Sequence, residues 1–169
     1  MMSEKGTLAY LSLGSNLGDR FANLEGGIAH LRESPTIRLM HISPLYETQS
    51  WGDTAQPDFL NCVASLTVKG GAMQLLHLCQ DIETRAGRMT RGDGAPRPLD
   101  IDILVFGTEQ IDSPTLTIPH PRLAGRRFVL EPFADIAPNL VVPGLGKSVA
   151  TLLKQCPDKS WVKRIAEVI

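Results

Sequence analysis

The chain has 169 residues, a formal net charge of −1, 43% hydrophobic and 5% aromatic residues. That length suits one domain with a proper core, and the near-neutral balance argues against a nucleic-acid or membrane-surface binder that works through bulk charge. Cys62, Cys79 and Cys156 lie far apart and form no CxxC or His/Cys cluster, so neither a zinc site nor a disulfide framework is supported. Met1 to Gly6 is polar and no run approaches the length of a membrane span. The expectation is a cytoplasmic protein, one domain over 1–169 with its core at about 7–155.

Thr7 to Leu13 reads as a buried strand. It runs into Gly14-Ser15-Asn16-Leu17-Gly18-Asp19, a turn-rich loop in which Asp19 suits a helix N-cap. Phe21, Leu24, Ile28 and Leu31 then repeat at helical spacing up to Ser34-Pro35, against a cost of roughly 1 kcal/mol each for Gly26 and Gly27. Such a loop can cradle phosphate, but this one matches neither the P-loop nor the dinucleotide fingerprint.

Ile37 to Tyr46 reads as a second strand, interrupted by Ser43-Pro44 and so suited to an edge. Glu47 to Asp58 is a long loop with Trp51, Gly52 and Pro57, a length more often functional than idle. Phe59 to Lys69 alternates cleanly: Leu60, Cys62, Ala64, Leu66 and Val68 face a core, and Phe59, Asn61, Val63 and Ser65 face away. An aromatic plane beside an amide that both donates and accepts can read the edge of a heterocycle. A turn-proximal aromatic with a surface Asn is the plain alternative. Gly70-Gly71 opens a helix to about Ala86, with Leu75, Cys79, Ile82 and Ala86 as its apolar stripe and Gly87 as C-cap. Gln80 and Glu83 lie one turn apart near its end. Arg88 to Pro96 is a glycine- and charge-rich loop suited to a mobile cover.

Arg97-Pro98-Leu99-Asp100-Ile101-Asp102-Ile103-Leu104-Val105-Phe106 carries the strongest chemical signal. From Leu99 it reads as a strand, and successive side chains of a strand point to opposite faces. Leu99, Ile101, Ile103 and Val105 then share one face, Asp100 and Asp102 the other. Two adjacent carboxylates on a core strand repel and require a cation. Mg²⁺ fits, because it takes hard oxygen ligands and binds one or two carboxylates together with substrate phosphates. The alternative is a pair solvated or matched by arginines on an open face. Arg88, Arg91 and Arg97 precede the strand and Arg122, Arg126 and Arg127 follow it, which favours a polyanion site between them.

The remaining stretches predict a hairpin from Gly107 to Ile118, a loop at Pro119-His120-Pro121-Arg122, and a helix from Phe128 to Ile136 with Pro132 tolerated only near its start. Pro138 to Pro143 reads as extended, Ser148 as the cap of a helix through Gln155, and the tail from Cys156 onward gives no pattern. Strand, helix, strand, strand, helix, strand is the α+β, ferredoxin-like βαββαβ order, with two helices on one face of an antiparallel sheet. The opposite face then carries Asp100, Asp102, Phe59 and Asn61.

Four segments in this order, Leu13-Gly14-Ser15-Asn16-Leu17-Gly18, Gln56-Pro57-Asp58-Phe59-Leu60-Asn61, Pro96 to Ile103 and Ile118-Pro119-His120-Pro121-Arg122, give the chain a resemblance to the 6-hydroxymethyl-7,8-dihydropterin pyrophosphokinases of folate biosynthesis. The resemblance implies transfer of the terminal diphosphate of ATP to the hydroxymethyl group of a dihydropterin, with release of AMP. It implies that Asp100 and Asp102 are ligands of two Mg²⁺ ions bound with ATP, and that Asp100 also faces the pterin. Thr48, Phe59, Asn61 and Phe128 look like the pterin pocket, and Gln80, Glu83 and Ile103 like nucleotide contacts. Arg88, Arg97, His120 and Arg126 look like catalytic ligands of the triphosphate. ATP and the dihydropterin would be the only partners of a monomer, with no nucleic acid and no membrane. Gly94 stands where the family often has a tryptophan, and the loop is shorter than the family's, which leaves the alignment of Arg91 open. Two rivals remain at this level. One is another Mg²⁺-dependent transferase on the same fold, releasing pyrophosphate. The other is a non-catalytic nucleotide- or RNA-binding module, which lacks here the interleaved aromatics and basic residues of an RNP motif.

Overall fold

The computed structural model describes residues 5–50, 56–88 and 95–166; Trp51, Gly52, Arg91 and Gly94, named above, lie outside them. The chain order is β1 (Thr7–Ser15), α1 (Arg20–Glu33), β2 (Ile37–Ile42), β3 (Leu45–Thr48), β4 (Phe59–Val68), α2 (Ala72–Arg85) and β5 (Asp100–Phe106). It continues with β6 (Ile111–Asp112), β7 (Thr117–Ile118), a 3₁₀ turn (Leu123–Gly125), α3 (Arg127–Ile136), α4 (Val149–Gln155) and β8 (Val162–Ala166). The main sheet has the order β5-β1-β4-β3-β8, with β2 also on β4, and every pairing is antiparallel. This is the expected ferredoxin-like arrangement with additions. Among the described residues no helix is long and apolar enough to cross a membrane.

Local chemistry sets the helix ends. The Asp19 side chain accepts from Ala22 N at 3.0 Å, which caps α1. Gln74 Oε1 accepts from Gly71 N at 3.0 Å at the start of α2, and Ser148 accepts from Thr151 N at the start of α4. Leu24, Ile28 and Leu31 of α1 and Leu75, Cys79 and Ile82 of α2 are buried against Leu11, Leu13, Cys62, Ala64, Ile101 and Ile103 of the sheet. Gly27 is required by close approach, since a Cβ there would stand 2.9 Å from Leu99 Cδ2. Phe21, read as part of the apolar stripe, is 45% exposed; it lies in the first turn, beyond the edge of the packed face.

Several expectations are corrected. Ile37 to Tyr46 is two strands on one edge of β4, and the second extends through Glu47 and Thr48, which were read as loop. Pro44 has no N–H to donate at the break. Ser43 bridges it instead, donating its N–H to Val63 O at 2.8 Å and accepting Val63 N on its hydroxyl at 2.9 Å. Val105 does not share a face with Ile101 and Ile103. The β1–β5 register shifts between Tyr10 and Leu11, where Val105 pairs with Tyr10 and Ile103 with Leu11. Leu104 already alternates onto the opposite face, and the bulge there moves Val105 onto it as well, so both join a second core with Tyr10 and Val63. Val63 and Ser65 do face away from α1 and α2, yet both are buried. Here α3 and α4 roof that half of the sheet with Val129, Leu130, Phe133, Val149 and Leu152. Pro132 sits inside α3, sixth of ten residues, beyond the first turn where it was expected. Pro138 to Pro143 is largely turn, with one bridge from Val141 to Ser148. The tail contributes β8, which pairs with β3.

Candidate active site

The α3–α4 roof covers only one half of its face. The other half begins at a row of register partners on adjacent strands, Asp100 on β5, Gly14 on β1 and Asn61 on β4, and the row ends at Tyr46 on β3, which lies under α3 and donates to Asp135. One pair further along β5, Asp102 stands opposite Ser12. Asn61 is buried and its Nδ2 donates to Thr48 Oγ1 at 2.6 Å. Thr48 in turn pairs across the sheet with Phe59. Gly14 forms the floor between Asp100 and Asn61, because a Cβ there would overlap Asn61 Oδ1 and press on the Phe59 ring. Two strand spacings, about 9.5 Å, separate the carboxylate and the amide across that floor.

Charge closes the β5 side. Arg88 Nη1 donates to Asp100 Oδ1 at 2.6 Å and to Glu83 Oε2 at 2.5 Å. The same Glu83 oxygen accepts Ile101 N at 2.9 Å. Burial opposes the charge on Arg88, but Asp100 and Glu83 outweigh it and hold the guanidinium above its ordinary value. Arg97 Nη1 lies 3.4 Å from Asp100 Oδ2, with its guanidinium carbon 5.9 Å from the centre of the Phe59 ring. Asp100 is thus well matched. Among the described residues, Asp102 has only His120 Nε2 at 3.7 Å and Arg126 Nη1 at 3.8 Å. Burial and then the Asp100 charge push its carboxyl up to about 7, although Arg126 pulls the other way.

His120 is carried in by the cis Ile118–Pro119 turn and fixed by its N–H to Leu104 O at 3.0 Å. Burial, and then Arg126, lower the imidazole to about 4, so it is neutral at pH 7. Its Nδ1 accepts Arg122 N at 3.1 Å, which leaves the ring proton on Nε2, the nitrogen that faces Asp102. Arg126 stacks on Phe128 with 5.5 Å from guanidinium carbon to ring centre. Among the described residues, Arg126 Nε is buried without a hydrogen-bond partner. A buried cationic donor left open beside an under-matched carboxylate suits a ligand that brings both anionic oxygens and cations.

Asp100, Asp102, Arg88, Arg97, His120 and Arg126 therefore converge, as do Asn61, Thr48 and Phe59, with Phe128 at the start of α3. Glu83 is buried between Arg88 and the β5 backbone, and Gln80 lies one turn before it, on the β5 flank. Ile103 is buried in the core under the helices, so its side chain is withdrawn from this face. Sequence reasoning missed Asn16. Its buried amide donates to Gln56 Oε1 and Pro57 O, both at 3.2 Å, and accepts Arg97 N at 2.8 Å. An amide between two glycines was the available signal. Asp158 was missed as well: it accepts Arg127 N at 3.1 Å and supplies the cap that Arg126 does not.

The family described as 7,8-dihydro-6-hydroxymethylpterin-pyrophosphokinase (HPPK) matches residues 10–138. The chain belongs to the HPPK family. The HPPK match covers β1 through α3, and hence every strand that carries the site, but stops short of α4, Asp158 and β8. A 2-amino-4-hydroxy-6-hydroxymethyldihydropteridine pyrophosphokinase of Methylorubrum extorquens is 42% identical over 159 residues, covering 94% of this chain and 99% of that protein. One of the same name from Pseudomonas aeruginosa is 39% identical over 148 residues, covering 88% of this chain and 91% of that protein. Among solved structures, the Plasmodium falciparum HPPK-DHPS with pteroate aligns with a TM-score of 0.70 at 15% identity, a likeness of fold. It covers 92% of this chain, which spans 43% of that longer one.

Proposed function

We propose that this HPPK-family chain transfers the terminal diphosphate of ATP to the hydroxymethyl oxygen of 6-hydroxymethyl-7,8-dihydropterin and releases AMP. The observation that carries this reading is the Asp100–Gly14–Asn61 row: a paired-carboxylate site and a buried amide face one another across a floor that has no side chain. Asn61, fixed by Thr48, reads the polar edge of the pterin, and Phe59 and Phe128 supply ring faces. Asp100 and Asp102 would hold two Mg²⁺ ions bound together with ATP. The fit rests on Asp102, a carboxylate whose partners among the described residues are a neutral imidazole at 3.7 Å and one guanidinium at 3.8 Å, and whose carboxyl is raised to about 7. When bound, such ions neutralise phosphate charge and acidify the attacking hydroxyl.

The residues of the chain position and stabilise. Phosphoryl transfer asks little covalent chemistry of the protein, so geometry and charge dominate. Arg97 and Arg126 bind the triphosphate from opposite ends of the carboxylate strand. The open Arg126 Nε is one donor held ready for it. His120 donates from Nε2 to a phosphate oxygen without adding charge at neutral pH. Arg88 trades part of its hold on Asp100 for phosphate, while Glu83 retains it. Gln80 and the backbone of the edge strand at Ile103 meet the nucleotide. Among the described residues no side chain of the site is placed as a dedicated general base, and the hydroxymethyl proton leaves to solvent or to phosphate.

Nucleotide products after mixing protein, ATP, Mg²⁺ and the hydroxymethyl pterin test the proposal. Pterin-dependent AMP is expected. Pterin-dependent ADP, or no pterin-dependent product, would overturn it.

A further inference from the structure

We infer that Arg20, which no sequence pattern above singled out, is a positioning residue for the pterin side of the site. The inference rests on the pterin reading of Asn61, Thr48 and Phe59. Arg20 opens α1, and its two terminal nitrogens diverge: Nη2 donates to Glu47 Oε2 at 2.7 Å and Nη1 to the Asp58 carbonyl at 3.0 Å. Glu47 immediately precedes Thr48 and Asp58 immediately precedes Phe59, and Thr48 and Phe59 are register partners. One guanidinium thus holds both strands where they leave the sheet, at the pair beside Asn61. Strand alternation directs Glu47 away from the face that carries Thr48 and Asn61. Arg20 therefore grips β3 from the helix side and touches no substrate. Its effect passes through the backbone to Thr48 Oγ1, the acceptor for Asn61 Nδ2.

The chemistry demands arginine. A planar fork reaches two acceptors in different directions, whereas an ammonium is a single point that satisfies one of them well. Both partners of the ion pair are 31% exposed, so the expected effect is modest. A cavity of about 400 Å³ open to solvent, bordered by Arg20, Glu47, Asp58 and Asn16, adjoins the pair. Truncating Arg20 enlarges this open space and leaves no void in the core, so the variants should fold.

The test measures dissociation constants separately for the hydroxymethyl pterin, in the presence of a non-hydrolysable ATP analogue and Mg²⁺, and for the analogue alone. Arg20→Ala is expected to raise the pterin constant about three- to tenfold and to leave the analogue constant within about twofold. Arg20→Lys should recover only part of that loss. An unchanged pterin constant, or equal weakening of both ligands, would overturn the role. Phe59→Ala and Asn61→Ala separate the two levels. If they weaken pterin binding while Arg20→Ala does not, only the Arg20 role fails. If they leave it unchanged, the pterin reading fails and the Arg20 role with it. Should Arg20→Ala not fold, Arg20→Gln, which keeps a donor for the Asp58 carbonyl, takes its place with the same expected and overturning results.

Discussion

Asp100 and Asp102 differ by what surrounds them, although a strand treats i and i+2 alike. Asp100 has Arg88 and Arg97, whereas Asp102 has a neutral imidazole and a distant guanidinium. A carboxyl near 7 in the fold and 3.8 unfolded means that the folded chain binds the proton more tightly, so this group makes stability fall as pH rises from about 4 to 7. His120, near 4 in the fold and 6.5 unfolded, acts with the opposite sign between about 4 and 6.5. Asp102→Asn should therefore stabilise the ligand-free protein at pH 8. With a third of the side chain exposed, the gain is held to about 1 kcal/mol, or roughly 2–4 °C in Tm, and it should vanish near pH 4. Scanning calorimetry at the two pH values measures this, and equal Tm values at pH 8 would show Asp102 compensated without ligand. The same substitution should lower kcat by on the order of 10²-fold or more, as should Asp100→Asn; near-normal turnover would remove the metal assignment.

At the scale of elements, α3 brings Arg126 and Phe128 to the site, and it is fastened by contacts distant in sequence. Tyr46 donates its hydroxyl to Asp135, and Asp158 caps the helix start through Arg127 N. Asp158→Ala should cost about 1 kcal/mol, the usual value of a lost cap, measurable as a shift in urea midpoint at constant slope. An unchanged midpoint would mean that the tail does not fasten α3. Phe128→Ala should weaken pterin binding by about 1–3 kcal/mol, by analogy with base stacking, with little change for nucleotide alone. A titration that shows no loss of pterin affinity would exclude Phe128 from the pocket. β8 acts in the same way on β3, since its pairing from Leu45 to Thr48 supports the strand that carries Thr48.

At the scale of the molecule, one sheet separates two cores, and among the described residues α3 and α4 roof only half of the second face, the open half being the proposed ligand site. Ligand binding should therefore stabilise the whole fold. An ATP analogue with Mg²⁺ at about 100 times its Kd should add about 2.7 kcal/mol, or roughly 5–10 °C in Tm. Asp102→Asn should lose most of the Mg²⁺-dependent share. A shift indifferent to Mg²⁺ in both proteins would argue that nucleotide binds without the carboxylate pair.

Much of this was legible in the chain itself. The alternation of β4, the caps Asp19 and Ser148, the stripes of α1 and α2 and the shared face of Asp100, Asp102, Phe59 and Asn61 are period-2 or period-3.6 patterns, each complete within a few residues. What tertiary structure alone decided depends on residues far apart in the chain. Asn16 meets Arg97 across 81 positions, Tyr46 meets Asp135 across 89, and Asp158 reaches back 31 to cap α3. No local window contains both partners. The bulge at Leu104 is set by pairing with β1, so the sequence of β5 placed Val105 on the wrong face, and the burial of Val63 waited on a roof folded from residues 60 and more positions later. The sequence determined which side chains could do the chemistry, because their spacing is local. The tertiary structure determined which of them are matched, buried or left open, because charge and burial depend on every element that packs around them.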